Sequence, residues 1–258
     1  MRITILTLFP EMFDGFMTNS IIKRAIAKEL VSIRIVNIRD YTKDKYHRVD
    51  SAPVGGGAGL IMKCQPIVDA LNDVKTKNSK SIMLSPRGAT YNQEKARELS
   101  KCDDLILLCG HYEGIDERVN KYVDELVSIG DYILTGGELG AMVISDAVIR
   151  LIDGAISEGS IIEESFENGL LEYPQFTEPY NYEGDKIPDI LYSGNHTAIN
   201  KWRKKESLKL TKKYRKDLFD KYPLDKNDKK LLKEIEEDST PKWETDAISK
   251  GHKFIKKD

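Results

Sequence analysis

The chain has little that would cross-link it or hold a metal. Its three cysteines, Cys64, Cys102 and Cys109, are scattered through 258 residues and odd in number, so no disulfide framework is expected. The four histidines, His47, His111, His196 and His252, are too dispersed for a metal-ligand pattern. The opening apolar run, Ile3 to Phe9, is too short for a membrane span and is stopped by Pro10 and Glu11 without a signal-peptide cleavage context. Internal repeats, coiled-coil heptads and low-complexity tracts are missing, and the net charge of −2 names no partner. What remains is a globular protein, expected to be cytoplasmic. Its 40% hydrophobic and 32% charged residues suit one large domain or two modest ones.

Short apolar runs alternate with helical periodicity through the first half. Strands are expected over 2–9, 31–38, 81–85 and 105–109, the third ended by Pro86-Arg87-Gly88. Helices are expected over 14–30, 60–74, 92–99 and 138–152, with Asp40 to Asp50 as an exposed polar loop. That alternation predicts an α/β fold with a mainly parallel sheet covered on both faces.

Two glycine-bearing loops lie at the centre of this half. Gly110 follows the run Leu105–Cys109, and Gly136-Gly137 precede the helix expected from Glu138. Loops leaving the ends of buried strands are where open α/β sheets hold ligands. A third glycine cluster, Gly55-Gly56-Gly57-Ala58-Gly59, fits neither a dinucleotide fingerprint nor a phosphate-binding loop. Asp50–Val54 before it is no buried strand, and no Lys-Ser/Thr follows. Its glycines still allow close backbone approach to a ligand or a second chain.

After Gly154 the pattern collapses into an acidic, Gly/Ser-bearing stretch, then into a Pro- and Tyr-rich extended segment from Tyr173. Helices are expected over 195–216 and 225–237, followed by a charged tail. These shifts set the expected boundaries at 1–157, 158–172 for a linker without fixed order, and 173–258. The helix near 195–216 carries Lys201, Arg203, Lys204, Lys205, Lys209, Lys212, Lys213, Arg215 and Lys216 against Glu206 alone. Such a block suits an anionic partner such as nucleic acid, or else a solvated helix face.

Several blocks together resemble a known family. Cys109-Gly-His-Tyr-Glu-Gly-Ile-Asp-Glu-Arg118, Ile129-Gly-Asp-Tyr-Ile-Leu-Thr-Gly-Gly-Glu138 and the Gly55–Gly59 run are similar to the bacterial tRNA (guanine-N1)-methyltransferases of the SPOUT class. So are Leu8–Phe13, Leu84-Ser-Pro86, Ser165-Phe166 with Gly169–Leu171, and Ser193-Gly194 with Trp202-Arg203. The resemblance runs from Met1 to about Glu237.

The resemblance implies a SPOUT-type mainly parallel sheet with a C-terminal trefoil knot, plus a small helical C-terminal domain. It implies a homodimer with active sites at the subunit interface, and methyl transfer from S-adenosylmethionine to N1 of the guanosine 3′ to the tRNA anticodon. The cofactor would be held by Leu84, Gly110, Ile129, Gly130, Asp131, Tyr132, Ile133, Leu134, Gly136 and Gly137. Tyr112 and Glu113 would receive the flipped guanine, with Gly55, Gly56, Gly57, Gly59 and Arg203 also on the substrate side. Arg150 matches the family's cation. Its base, usually an Asp, falls on Glu164, one methylene longer, with Glu163 beside it as an alternative. Mg2+ is implied as well, with its ligands unassigned. Methylation of another RNA site, or RNA binding without catalysis, are the competing expectations.

Overall fold

The structure, a computed structural model, describes residues 1–157, 164–237 and 240–251. Their contacts divide the chain into two compact units, Met1–Glu158 and Gly159–Asp258.

The first unit is built on a five-stranded, wholly parallel sheet. Its strands are β1 (Arg2–Thr7), β2 (Ser32–Asn37), β5 (Ser79–Thr90), β6 (Asp104–Leu108) and β7 (Glu125–Ser128), in the order β2-β1-β6-β5-β7. Two-residue strands β3 (Asp50–Ser51) and β4 (Ile61–Met62) form a separate antiparallel pair. Side chains alternate between the two faces, as the period of two requires. Ile3, Ile5, Ile82, Leu105 and Leu107 turn to one face and pack with Ala25, Leu99, Ala141, Ile144 and Val148. The last five belong to helices α2 (Ser20–Ala27), α4 (Gln93–Ser100) and α5 (Glu138–Ile149). Leu6, Met83, Ile106 and Leu108 face the other way, against Ile67, Ala70 and Leu71 of α3 (Cys64–Val74). Both faces are covered, so the strands read as near-continuous apolar runs.

The local structure departs from the sequence expectations at four places. The helix expected over 14–30 is broken into α1 (Asp14–Thr18) and α2, because Asn19 is extended and its side-chain amide bonds back to the Gly15 carbonyl. The helix expected from Leu60 starts only at Cys64, since Ile61–Met62 is taken up in pairing with Asp50–Ser51. β5 does not stop at Pro86: residues between Leu84 and Ala89 bulge out, and both of these pair with Val127. Pro86 sits in that bulge, where a missing amide proton costs no ladder bond. Finally, Glu125–Ser128 is a strand whose short apolar pair, set between Glu125 and Ser128, gives little sequence signal.

The second unit carries α6 (His196–Tyr214), α7 (Lys216–Phe219), α8 (Lys226–Glu236) and α9 (Lys242–Gly251), with a small hairpin of β8 (Asn181–Tyr182) and β9 (Asp185–Lys186). Asp225 caps α8 in a reciprocal box with Asp228. Part of the expected linker is ordered here: Leu170 is buried with Leu208 and Leu231, and the Leu171 amide donates to Thr211 Oγ1 at 2.8 Å. Apolar Leu170 outweighs the acidic composition around it. Residues 158–163 of that linker, Glu163 included, and the tail from His252 onward lie outside the described residues. The tail before it is a helix, since Ala247 and Trp243 of α9 pack with Ile190 and Trp202. No described helix is long and apolar enough to cross a membrane.

Candidate functional site

The carboxyl ends of β5, β6 and β7 converge on one cavity of about 530 Å3. Its walls come from the β5 bulge (Leu84 to Arg87), the loop after β6 (Gly110 to Ile115) and the loop after β7 (Ile129 to Gly137). That volume lies within the roughly 300–1,000 Å3 of small-molecule sites.

The loop after β7 returns to the end of β6. The Gly137 amide donates to the Gly110 carbonyl at 2.8 Å, and His111 and Gly136 form an isolated antiparallel bridge. This closure needs glycine. A Cβ on Gly137 would stand 2.8 Å from Cys109 Cα and 3.0 Å from the Gly110 nitrogen, both backbone atoms that cannot swing aside. Gly130 holds φ 144°, a conformation open to glycine alone among ordinary residues. Leu84 lies against Gly140 on the first turn of α5, so the helix N-terminus faces the cavity.

Of the residues the resemblance assigns to the cofactor, Leu84, Gly110, Ile129, Gly130, Tyr132, Ile133, Leu134, Gly136 and Gly137 line this cavity. Asp131 does not. Tyr112 and Glu113 share its wall. Tyr112 adopts φ 59°, a strained backbone for an aromatic residue, and is 39% exposed. Burial, followed by a hydrogen bond with Asp50, raises its hydroxyl above the ordinary phenol range, while Arg39 opposes this. The hydroxyl therefore stays protonated near neutrality.

The glycine run stands beside this wall without lining the cavity. The Glu113 amide donates to the Leu60 carbonyl at 3.0 Å, and a Cβ on Gly59 would overlap the Glu113 side chain. Gly55 and Gly56 face open space. Arg150 is not at the cavity. It caps the far end of α5, about 18 Å along the helix axis from Glu138.

Sequence reasoning missed the polar support beneath the loops. Glu138 is only 2% exposed and accepts 2.7 Å from the Thr7 hydroxyl at the end of β1. Its carboxyl group sits at the N-terminal end of α5. Complete burial, and then Glu138, push the Cys109 thiol well above its usual range, so it is an inert packing group. His111 packs its ring 4.6 Å from Phe9, with Nδ1 buried beside Gly136. Its position inside the Cys109–Arg118 block was the available signal.

In the second unit, Glu164 lines a smaller cavity of about 150 Å3 with Asn168, Tyr173, Arg203, Lys204 and Ser207. The Arg203 guanidinium stacks 4.6 Å from the Tyr173 ring centre. The basic block is largely neutralised locally. Lys201, Lys204, Lys205 and Lys212 face Glu234, Asp228, Glu244 and Glu236, while Lys209, Arg215 and Lys216 pair with Glu206, Asp217 and Asp220. Lys213 lies 4.7 Å from the Tyr214 ring. Among the described residues, no group of three His, Cys, Asp or Glu side chains is placed to hold a metal ion.

A glycine-cradled cavity at the carboxyl ends of a parallel sheet, closed by a returning loop, defines an α/β protein built to bind a small cofactor. The chain matches the family described as tRNA (Guanine-1)-methyltransferase TrmD over residues 1–221. It is 56% identical over 237 residues to the tRNA (guanine-N(1)-)-methyltransferase of Clostridium botulinum, covering 91% of this chain and 98% of that one. The enzyme of the same name from Malacoplasma penetrans is 56% identical over 222 residues, 86% of this chain and 98% of its own. That from Clostridium perfringens is 55% identical over 235 residues, 90% and 99% respectively. The chain belongs to the TrmD family of tRNA (guanine-1)-methyltransferases.

Proposed function

We propose that this protein transfers a methyl group from S-adenosylmethionine to N1 of the guanosine immediately 3′ to the tRNA anticodon, position 37. The observation that carries this reading is the gathering of nine expected cofactor residues around one cavity, with Tyr112 and Glu113 on its wall. The glycines at 110, 136 and 137 let backbone amides and carbonyls approach an adenosine and a bent methionine tail, and Leu84, Ile129 and Leu134 supply an apolar slot. Bound there, S-adenosylmethionine supplies an electrophilic methyl on a sulfonium sulfur.

The protein's own groups do the rest. Guanine N1 carries a proton that leaves as the methyl arrives, and negative charge grows on O6. Glu164 takes the proton and the Arg150 guanidinium steadies O6. Tyr112, a protonated aromatic at the lip, receives the base after it leaves the anticodon-loop stack, which lowers the cost of flipping. The Cys109–Gly137 closure is the part of the chain that the family's trefoil knot would comprise.

A second copy completes the site. Arg150 lies a helix length from the cavity of its own unit, and the same helix exposes Leu139 and Val143, four residues apart on one stripe. Ile133, on the returning loop, is 84% exposed. These surfaces support a homodimer in which one protomer's cavity meets its partner's Arg150. With tRNA as substrate, the enzyme works in the cytoplasm. The family also implies Mg2+, but the described residues do not bring together a ligand set for it.

The deciding test is a methylation assay on tRNA transcripts with and without the guanosine 3′ to the anticodon. Incorporation only into the first set is expected. Equal incorporation into both would move the target elsewhere, and absence of S-adenosylmethionine binding by calorimetry would remove the enzymatic reading.

A further inference from the structure

The second unit holds another cavity that the methyl-transfer reading leaves unused. It has a volume of about 330 Å3 and is lined by Tyr173, Pro174, Gln175, Phe176, Leu191, His196, Ile199 and Arg203. Its chemistry is distinctive. None of these residues is acidic, in a chain with 42 Asp and Glu, whereas the neighbouring cavity contains Glu164. Tyr173 and Arg203 line both, so the two cavities share a wall.

Flat groups form part of the lining. Arg203 stacks on Tyr173, which gives a planar cationic surface backed by an aromatic ring. Phe176 is 45% exposed, and its ring lies 6.4 Å from that of the buried Trp202, tilted by 51°. Ile199 is buried at the base and His196 begins the 19-residue helix α6. Aromatic and guanidinium planes set in a groove without negative charge are how proteins hold unstacked bases, because every base has a π-face and brings a phosphate with it.

We propose that this cavity is a stacking subsite for one unpaired nucleobase of the RNA substrate, adjoining the cavity of Glu164. The base it takes is a neighbour of the methylated guanosine in the anticodon loop, held so that the target stays near the proton acceptor. This rests on the tRNA reading above.

The test uses the full-length protein and tRNA anticodon stem-loops that carry 2-aminopurine at one loop position at a time. With the wild type, one position other than the target is expected to change its fluorescence on binding, and Phe176→Ala should abolish that response. Phe176→Tyr, which keeps a ring, should restore it. In methylation assays, Phe176→Ala should raise KM for tRNA about 10-fold or more, the weight of a stacked base, with kcat and S-adenosylmethionine affinity within twofold. A fluorescence response and a KM indistinguishable from wild type in Phe176→Ala would overturn the subsite while leaving the methyltransferase reading intact. A wild type that binds the stem-loops but transfers no methyl would instead sink the reading, and the fluorescence response would still decide the subsite.

Discussion

Thr7 Oγ1 donates a 2.7 Å hydrogen bond to Glu138 Oε1, joining the end of the first strand to the first residue of α5. The two residues are 131 positions apart and both are buried. The bond fixes where α5 begins, and therefore where Gly136 and Gly137 close the cavity. Thr7→Val keeps the shape and removes the donor, leaving a buried carboxylate short of a partner at a cost of about 1–3 kcal/mol. Thermal melting should drop by several degrees and S-adenosylmethionine should bind more weakly by calorimetry. An unchanged melting temperature would contradict this account.

The proposed dimer draws Arg150 and the cavity of one site from different protomers, which subunit mixing can test. On the proposed mechanism Arg150→Ala removes the cation meant to steady O6, while Gly137→Ala pushes a methyl into the backbone at Cys109 and Gly110. Each homodimer should be nearly inactive. Heterodimers formed by co-expression should regain activity, because one of their two sites has an intact cavity facing an intact Arg150. Failure to regain any activity, with heterodimers present, would place both groups in one subunit.

Glu164→Gln should lower turnover on tRNA by about 100-fold or more while S-adenosylmethionine binding persists, since an amide cannot accept the N1 proton. Glu163→Gln should remain near the wild-type rate. The opposite pattern in single-turnover assays would transfer the role of base to Glu163.

The paired and unpaired lysines of α6 should behave differently. Lys205 and Glu244 face each other with side chains 12% and 14% exposed, so Lys205→Ala should chiefly destabilise the second unit in urea melts. Lys213 lies over Tyr214 and faces no carboxylate among the ion pairs described here. Lys213→Ala should reduce the slope of log affinity for tRNA against log salt by about 0.7–0.9, one phosphate contact. Identical salt slopes in wild type and Lys213→Ala would remove this lysine from the RNA contact.

Asp104 supplies a pH dependence of stability. Hydrogen bonds from Arg2 Nε and Nη2 at 2.9 and 2.7 Å, with further help from Ser79 and Thr76, hold its carboxyl below the usual carboxylate range despite burial. A carboxyl lowered on folding stabilises fully above its unfolded pKa of about 3.9, and that contribution fades as pH falls through the folded value. Asp104→Asn should therefore cost about 2 kcal/mol at pH 7 and less near pH 3. Urea midpoints at the two pH values measure the difference. An equal loss at both would rule out ionisation as the source.

The sheet was legible because burial on both faces demands continuous apolar runs, and β1 and β6 are such runs. β7 was not, because its apolar pair Leu126-Val127 is too brief to stand out between Glu125 and Ser128. Asn19 broke a helix by a side-chain bond that periodicity does not register. The cavity residues could be named from their blocks, but their meeting could not. It depends on the Gly137–Gly110 bond and on Leu84 reaching Gly140, which are contacts between distant segments. The basic block misled in the same way. The carboxylates that balance Lys201, Lys204 and Lys205 stand some 24 to 39 residues later in the chain, so a local count of charge overstated the free positive surface.

The packing of α5 against β1 also governs how the chain is made. Ile3 and Ile5 leave the ribosome first, yet they share their core with Ala141, Ile144 and Val148, which emerge last in this unit. A nascent chain of 120 residues contains Phe13, Ala25 and Leu99 of that core but still lacks the share that α5 contributes. Synthesis must pass residue 149 before that core is complete. The cofactor cavity is thus completed late in translation of the unit, by the same helix that seals the core.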